Sequence, residues 1–218
     1  MRSRQIEEYK RGLILDDVQR EILVGILLGD ACLESQNNGR TFRVKVEQSA
    51  SHESYVRHLF DAFRGWVLSP PRSKRCTASN GTLTMSWAFQ TVSHAAFRFY
   101  AHQFYTDGRK CVPKLIHHWL TPRGLAYWYM DDGSMKSQQS KGVIFNTQGF
   151  MLCDVERLCG VLESGFDLRA QPRRQPDGSQ IYVSGTSFER FLALIEPHLI
   201  PEMRYKIPQL RRTRLPKE

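Results

Sequence analysis

Two stretches of nearly continuous hydrophobic residues, separated by about a hundred positions, each end in an acidic residue. The first covers Leu23–Ala31 and the second covers Leu125–Gly133, and Asp30 and Asp132 coincide when the two are aligned. A helix that is hydrophobic on all sides is normally buried against other protein. Each stretch therefore predicts a buried helix that carries a carboxylate at its C-terminal end.

Each half of the chain begins with one of these helices and has the same order of elements: helix, hairpin, helix, hairpin, helix. In the first half the pattern predicts a helix over 17–29, strands over 32–35 and 41–48, a helix over 52–63, strands over 66–75 and 82–89, and a helix over 93–105. In the second half it predicts a helix from 121, strands over 133–139 and 142–148, a helix over 154–162, strands over 168–175 and 180–184, and a helix over 187–195. This repetition indicates a tandem duplication.

The division of the chain follows from that repeat. We expect a basic lead-in over 1–15, a first half over 16–120, a second half over 121–210 and a basic tail over 211–218. Turns are predicted at Asn37-Asn38-Gly39, Asn80-Gly81 and Pro176-Asp177-Gly178. Gly25 and Gly29 lie one turn apart on the first apolar helix, so they predict a notch where a second helix can approach closely.

The formal charge of +9 and the pI near 9.5 are unusual, whereas the rest of the composition is that of an ordinary globular protein. Such a balance indicates an anionic partner, with nucleic acid the first candidate and an anionic membrane surface the second. The five cysteines are odd in number and form no C-x-x-C pair, so free thiols in a reducing compartment are expected. No apolar run is long enough to span a bilayer, and no targeting peptide is visible, so we expect a protein that is intracellular or is made inside the compartment where it acts.

The two carboxylates are the first candidate site. A single aspartate at a helix end is ordinarily a solvated acid. An anion is disfavoured at a helix C-terminus, however, and Asp30 and Asp132 occur in register. Two such ends brought together would form a carboxylate pair able to hold Mg²⁺, a hard ion that prefers oxygen ligands and phosphate partners.

Two lysines and two polar strand residues complete this candidate site. Lys110 and Lys206 each come shortly before a proline late in their half. They are either solvated charges or cations that face the acids and stabilise a phosphorane. Glu47 and Gln148 end the equivalent second strands, and they either form a polar sheet edge or organise water beside the metal.

The predicted hairpins supply a cationic surface. In the strand Thr41–Gln48 the apolar residues share one face and the charged residues share the other, which suits a half-buried sheet laid on phosphates. The basic residues that fit this surface, each of which can instead be solvated or contact only the backbone, are Arg43, Lys45, Arg72, Lys74, Arg75, Arg169, Arg173 and Arg174. The amides that could read base edges in the major groove are Asn146, Gln171, Gln175 and Gln180.

At this point the sequence resembles a known family. Leu23–Ala31 and Leu125–Gly133 are similar to the two signature helices of the single-chain LAGLIDADG homing endonucleases. The likeness extends to Trp66–Pro71, Asn146–Gln148 and Leu199–Pro201, which resemble the branch that includes the mitochondrial omega-intron endonuclease. It covers roughly residues 16–210.

The resemblance implies an α+β (mixed α/β) fold. Each half would be an αββαββα unit, the signature helices would pack at a pseudo-two-fold axis, and two antiparallel four-stranded sheets would form a saddle over duplex DNA. The implied metal ligands are Asp30 and Asp132, helped by the carbonyls of Gly29 and Asp131. Lys110 and Lys206 match the basic catalytic positions, and Glu47 and Gln148 match the water-organising ones.

The sequence also departs from the family pattern. Tyr127 and Asp131 stand where the signature has small residues, and Ala31 replaces the final glycine of the first motif. We therefore expect asymmetric helix pairing and two strand-cleavage sites that are not equivalent. An asymmetric monomer fits a non-palindromic target.

The expected function is a double-strand break in a long, non-palindromic DNA site, made by one chain with Mg²⁺. By the same resemblance, Mn²⁺ or Ca²⁺ would occupy the same positions, Ca²⁺ without cleavage, and the protein would act in a mitochondrion or chloroplast. We expect neither a membrane nor an obligate protein partner. The alternatives are an intron RNA maturase on the same scaffold and a DNA-binding regulator that does not cleave.

Overall fold

The computed structural model describes residues 3–77, 83–137 and 139–207, without the side chains of Ser3 and Cys76. Within these ranges the helices are α1 Ser3–Arg11, α2 Asp17–Leu28, α3 Glu53–Ala62, α4 Arg98–Phe104, α5 Pro122–Asp132, α6 Leu152–Phe166 and α7 Phe188–Ile195. The strands are β1 Cys32–Glu34, β2 Arg43–Ser49, β3 Arg72–Thr77, β4 Leu83–Gln90, β5 Tyr105–Thr106, β6 Arg109–Lys110, β7 Gly133–Ser137, β8 Ser140–Phe145, β9 Ala170–Gln175 and β10 Gly178–Val183. In these ranges no helix is long and apolar enough to cross a membrane.

Local sequence fixes where the two central helices begin. Asp16 caps α2 in a capping box, in which its Oδ1 accepts from the Gln19 amide at 2.7 Å and its own amide donates to Gln19 Oε1 at 3.2 Å. Thr121 caps α5 through its Oγ1, which accepts from the Gly124 amide at 3.2 Å, and Pro122 fills the first helical position. Both helix starts agree with the sequence prediction.

The central helices pack backbone against backbone. A Cβ added at Gly25 of α2 would lie 2.3 Å from the Gly124 carbonyl oxygen of α5 and 2.9 Å from the Tyr127 Cβ. The predicted notch therefore exists, and only glycine permits this approach. The residues from Ile22 to Leu28 and from Gly124 to Met130 are all buried around the crossing. The C-terminal ends of both helices consequently lie side by side.

Each half contributes one antiparallel four-stranded sheet. The strand orders are β1-β2-β4-β3 and β7-β8-β10-β9, so the same topology occurs twice. With their helices, these strands form two αββαββα units, which confirms the predicted fold class. The exact division of the chain between residues 120 and 121 stays a prediction, and the tail 211–218 and the Asn80-Gly81 turn lie outside the described residues.

The prediction of a strand that starts at Trp66 is wrong. Residues Arg64–Trp66 form a 3₁₀ turn, and the Trp66 ring is buried with its Nε1 donating to Gln19 Oε1 at 3.2 Å. Pro70 and Pro71 have no amide hydrogen to donate to a ladder, so β3 begins only at Arg72. The lead-in also differs from the prediction, because it contains the helix α1.

The prediction that Glu47 and Gln148 end equivalent strands is also wrong. Strand β2 continues to Ser49, whereas β8 stops at Phe145. Cys32 pairs with Lys45 in the first sheet and Ser134 pairs with Ile144 in the second. Cys32 and Ser134 each come two residues after their central aspartate, so their strand partners Lys45 and Ile144 are equivalent. Two residues further along, Asn146 is the counterpart of Glu47. Ser49 is therefore the counterpart of Gln148.

Candidate active site and nucleic-acid interface

Asp30, Asp131 and Asp132 lie where α2 and α5 end, and their charges interact. The Asp30 amide donates to Asp131 Oδ2 at 3.1 Å, which links the end of one central helix to the end of the other. A Cβ at Gly29 would lie 2.3 Å from Asp131 Oδ2, so glycine is required beside this side chain. Asp132 follows directly, and its carboxyl senses the charge of Asp30. The structure therefore brings Asp30 and Asp132 together, as their register predicted.

The cluster carries more negative charge than its surroundings favour. Burial and then the charge of Asp30 raise the pKa of Asp132 to about 7, although Lys110 and Lys206 act in the opposite direction. The same two causes raise the pKa of Asp131. Carboxylates that share a partly desolvated pocket disfavour each other's ionised form. A cation placed among them would relieve this penalty.

Both predicted lysines reach this place. Lys110 Nζ donates to the carbonyls of Gly29 and Ala31, the latter at 2.9 Å. Lys206 Nζ donates to the carbonyls of Met130 and Asp131, the latter at 3.0 Å. Burial lowers the pKa of both ammonium groups, and the neighbouring acids oppose that shift. Each lysine thus caps the central helix of its own half, where a cation is favoured.

Gln48 is a site residue that the sequence reasoning missed. Its Nε2 donates to Asp30 Oδ2 at 2.8 Å and to Asp131 Oδ1 at 3.2 Å. The alternation of β2 turns this amide to the inner face of the sheet, together with Val44 and Val46, and only 8% of its surface is exposed. A polar side chain on an otherwise apolar strand face was the signal that could have found it.

The Gln48 amide is connected to the second half of the chain. His52 Nδ1 lies 3.4 Å from Gln48 Oε1, and its Nε2 lies 2.9 Å from the Tyr205 hydroxyl. In the second half, the register counterpart of Gln48 is Thr147, whose Oγ1 donates to the Ser179 carbonyl at 2.7 Å. The polar surroundings of the two central aspartates are therefore unequal.

The two predicted water-organising residues, Glu47 and Gln148, lie on the outer face of the first sheet and beyond the end of β8, respectively. Glu47 is on the outer face of the first sheet, where it accepts from Ser86 Oγ at 2.8 Å and from Lys74 Nζ at 3.2 Å. These donors lower the pKa of its carboxyl. Gln148 comes after the end of β8, and its backbone packs against Gly178, where a Cβ would be 2.6 Å from the Gln148 carbonyl oxygen.

Asn146, predicted as a base-reading residue, is exposed and also bonds to the backbone carbonyl of Asp132 at the end of α5. Its backbone amide and its Nδ2 both donate to the Asp132 carbonyl, at 3.0 Å and 3.1 Å. Its Oδ1 accepts from Gln180 Nε2 at 2.8 Å. A chain of polar contacts thus runs from the outer face of the second sheet to the end of α5.

Most of the predicted DNA-binding residues share the outer faces of the two sheets. In the first sheet the register places Arg43, Lys45, Arg72 and Lys74 on the face of Glu47. In the second sheet Arg173 pairs with Gln180, and Gln171 and Gln175 lie on the same face. Arg169 comes just before β9 and is exposed.

Arg75 and Arg174 do not belong to that surface. Arg75 pairs with Met85 and Arg174 pairs with Ser179, and both partners lie on the face that carries the core residues. Because strand side chains alternate, these two arginines point away from the outer faces. The sequence prediction that they share one cationic surface with the others is wrong.

Ion pairs organise the cations of the first sheet. Glu34 pairs with Arg43 at 2.9 Å and with Lys45 at 3.5 Å, and Glu47 pairs with Lys45 at 3.6 Å and with Lys74 at 3.2 Å. The side chains are partly exposed, so the pairs contribute little to stability. A phosphate can therefore compete for the same cations.

Comparison with known proteins agrees with this geometry. The profile of the LAGLIDADG DNA endonuclease family matches residues 20–191. The probable intron-encoded endonuclease 1 of Wickerhamomyces canadensis is 31% identical over 211 residues, which cover 94% of this chain and 90% of that protein. The cytochrome b mRNA maturase bI2 of Debaryomyces hansenii is 28% identical over 198 residues, which cover 88% and 74%.

A solved structure of the homing endonuclease I-WcaI bound to its DNA recognition sequence has the same architecture. It matches with a TM-score of 0.88 and 30% identity, over 94% of this chain and 92% of that one. Two αββαββα units with an acidic cluster at their central helices define the single-chain class of these proteins. The chain belongs to the LAGLIDADG DNA endonuclease family.

Proposed function

We propose that this protein is a site-specific homing endonuclease that makes a double-strand break in a long, non-palindromic DNA site. The observation that carries the proposal is the meeting of Asp30 and Asp132 at the adjoining ends of α2 and α5, with a cationic sheet on either side. Since one chain supplies both halves, one molecule occupies one site. The family membership supports the reaction class.

The reaction is proposed to use a divalent metal ion, and specifically Mg²⁺. The donors at the helix ends are all oxygens, namely the carboxylates of Asp30 and Asp132 and the carbonyls of Gly29 and Asp131, and hard cations prefer oxygen. The raised pKa of Asp132 supports the fit, because a divalent cation would offset the repulsion that causes it. In the described ranges no three His, Cys, Asp or Glu side chains converge as a metal cage, so the carbonyls would have to contribute. The Gly29 and Asp131 carbonyls accept from Lys110 and Lys206, so a bound ion would share these oxygens with the ammonium groups or displace them. When bound, the ion would activate water and stabilise the leaving 3′-oxygen.

The other polar residues are proposed to hold this arrangement. Lys110 and Lys206 donate to the carbonyls at the helix ends, and their ammonium groups would support the negative charge that develops on the phosphate. Gln48 donates to the carboxylates of both Asp30 and Asp131 and so orients the Asp30 side chain. Glu47 and Gln148 are proposed to order water above the outer faces, where a DNA duplex would lie.

The test is removal of one central carboxylate at a time. Asp30→Asn and Asp132→Asn should each abolish double-strand cleavage, and both should keep or increase DNA affinity because a negative charge near the phosphates is lost. Cleavage is measured as linearisation of a supercoiled library that carries randomised sites, with Mg²⁺ and with Ca²⁺. Glu189→Gln, a change in an exposed carboxylate of α7, is the control and should cleave normally. Full activity in either central variant would overturn the assignment.

A second function is favoured by one observation, the similarity to the maturase bI2. On the same scaffold, the protein would bind its own intron RNA and promote splicing. Splicing stimulated by the protein in the absence of DNA cleavage would support this function. The intron-encoded relatives also favour a mitochondrial or chloroplast site of action, which imaging of the tagged protein would test.

A further inference from the structure

The N-terminal helix α1, which the sequence pattern did not predict, borders the first sheet. Helix α1 lies at one end of the outer face, and its residues 3–11 precede the part of the chain that matches the family profile. The Tyr9 hydroxyl donates to the Gly65 carbonyl at 2.5 Å, and His94 Nε2 lies 3.1 Å from the Lys10 carbonyl. These two contacts fix the last turn of the helix against the first half.

A groove of about 580 Å³ lies between this helix and the sheet. We call it the α1 groove. Its charged lining consists of Lys10, Arg43, Lys45, Arg72 and Lys74, and no described carboxylate lines it. The ion-pair partners of these cations, Glu7, Glu34 and Glu47, lie outside the lining. The groove therefore suits an anion, and the basic surface excludes a cationic occupant.

The groove extends from Lys45 and Lys74, in the middle of the outer face, to the end of the sheet that is remote from the acids. Cys32, two residues after Asp30, pairs with Lys45, and Gln48 further along β2 contacts Asp30 itself. Arg43 is at the opposite end of β2, close to the β1–β2 turn, and Gln36 of that turn lines the groove. A duplex that crosses the outer face from the acidic cluster would reach α1 last.

From these contacts we infer that the α1 groove binds the sugar-phosphate backbone of the DNA at the outer end of the first half-site, and that Lys10 supplies a phosphate contact there. The inference rests on the proposed function, because it assigns a further part of the same DNA interface. Lys10 forms an ion pair with Glu7 at 2.8 Å, and the Glu7 side chain is 63% exposed. Such a pair is weak, so a phosphate can replace the carboxylate.

The experiment compares two lysines that each form an ion pair with a glutamate, one lining the α1 groove and one beside α7. Binding of the full chain to a fluorescein-labelled duplex of mixed sequence is measured by anisotropy over a range of NaCl concentrations, with Ca²⁺ present. Lys10→Ala should reduce the slope of log affinity against log salt by about 0.9, the value for one lost phosphate contact, and Lys10→Arg should restore it. Lys141→Ala is the matched control, because Lys141 pairs with Glu189 at 2.7 Å and lies over the Phe188 ring of α7. It should keep the full slope.

Two results are adverse, and they have different meanings. An unchanged slope in Lys10→Ala, with steep salt dependence in the wild type, would overturn this inference and leave the proposed function intact. A wild-type protein whose affinity does not depend on salt would overturn both, because no phosphate interface would then exist. An equal loss of slope in Lys10→Ala and Lys141→Ala would also overturn the inference, since the effect would reflect net charge only.

Discussion

At the residue scale, the two central aspartates differ in the side chains that lie at equivalent strand positions beside them. Gln48 Nε2 donates to Asp30, whereas the hydroxyl of its counterpart Thr147 donates to the Ser179 carbonyl. The Gln48 amide is further connected through His52 to Tyr205, so the second half of the chain supports the first site. Unequal support is a physical reason for the two DNA strands to be cut at unequal rates.

We therefore expect Gln48→Ala to slow cleavage of one strand only, by about tenfold, which corresponds to the loss of one hydrogen bond to a charged group. Strand-specific end labels on a cleavable duplex measure the two rates separately. Ca²⁺ affinity, measured by calorimetry on the protein alone, should fall as well, because Asp30 loses its orientation. Thr147→Ala is the control and should leave the ratio of the two rates unchanged. Equal slowing of both strands would contradict the role of Gln48.

The raised pKa of Asp132 has a consequence for stability without metal. Its folded value of about 7 lies above the ordinary 3.8, so the folded protein binds a proton that the unfolded chain releases. The contribution of Asp132 to the free energy of unfolding is therefore greatest below pH 4. It decreases as the pH rises to 7, by at most about 4 kcal/mol. In EDTA, Asp132→Asn should lose less stability than the wild type between pH 5 and pH 8, measured by urea unfolding. Parallel curves for both proteins would refute this expectation.

At the element scale, the α2–α5 crossing depends on glycine. The gap between the two backbones is closed at Gly25, where an added Cβ would overlap the Gly124 carbonyl oxygen. No flexible side chain is available to move aside at this point. The position of the acidic cluster depends on the same contact, because Asp30 follows Gly25 by five residues and Asp132 follows Gly124 by eight.

Gly25→Ala should consequently destabilise the protein by about 2–3 kcal/mol, the usual cost of overpacking a core. Gly160→Ala is the matched control. Gly160 lies inside α6 and is exposed, and an added Cβ there meets nothing within 4 Å. This change should raise the melting temperature, because alanine favours a helix by about 1 kcal/mol over glycine. A Gly25→Ala protein as stable as the wild type would show that the helices can separate without cost.

At the scale of the whole molecule, the chain has a net charge of +9, and several of its basic residues lie on the outer sheet faces that would contact the proposed duplex. Arg72, Arg173 and their neighbours on the outer faces would displace counterions from the phosphates. Six to ten such contacts would lower affinity about 10³- to 10⁵-fold between 50 and 200 mM salt. Filter binding over that range measures the effect. A flat response would remove the saddle as the DNA-binding surface.

Part of this architecture was predictable from the sequence alone, because it depends on local patterns. The continuous apolar runs and their caps at Asp16 and Thr121 determined the two central helices. The duplicated order of elements determined the two sheets, and the register of Asp30 and Asp132 placed them together. These features follow from side-chain periodicity, which acts over a few residues and therefore leaves a trace in the sequence.

Other features were decided only by the tertiary structure. Strand register turned Arg75 and Arg174 away from the outer faces and turned Gln48 inward, and a strand shifted by one residue reverses every side chain. The linkage of His52 to Tyr205 joins residues 153 positions apart, and the position of α1 depends on contacts with Gly65 and His94. The sequence thus determined which elements form and which acids meet. The packing of distant segments decided which polar groups surround those acids, since such contacts follow from three-dimensional proximity and not from spacing along the chain.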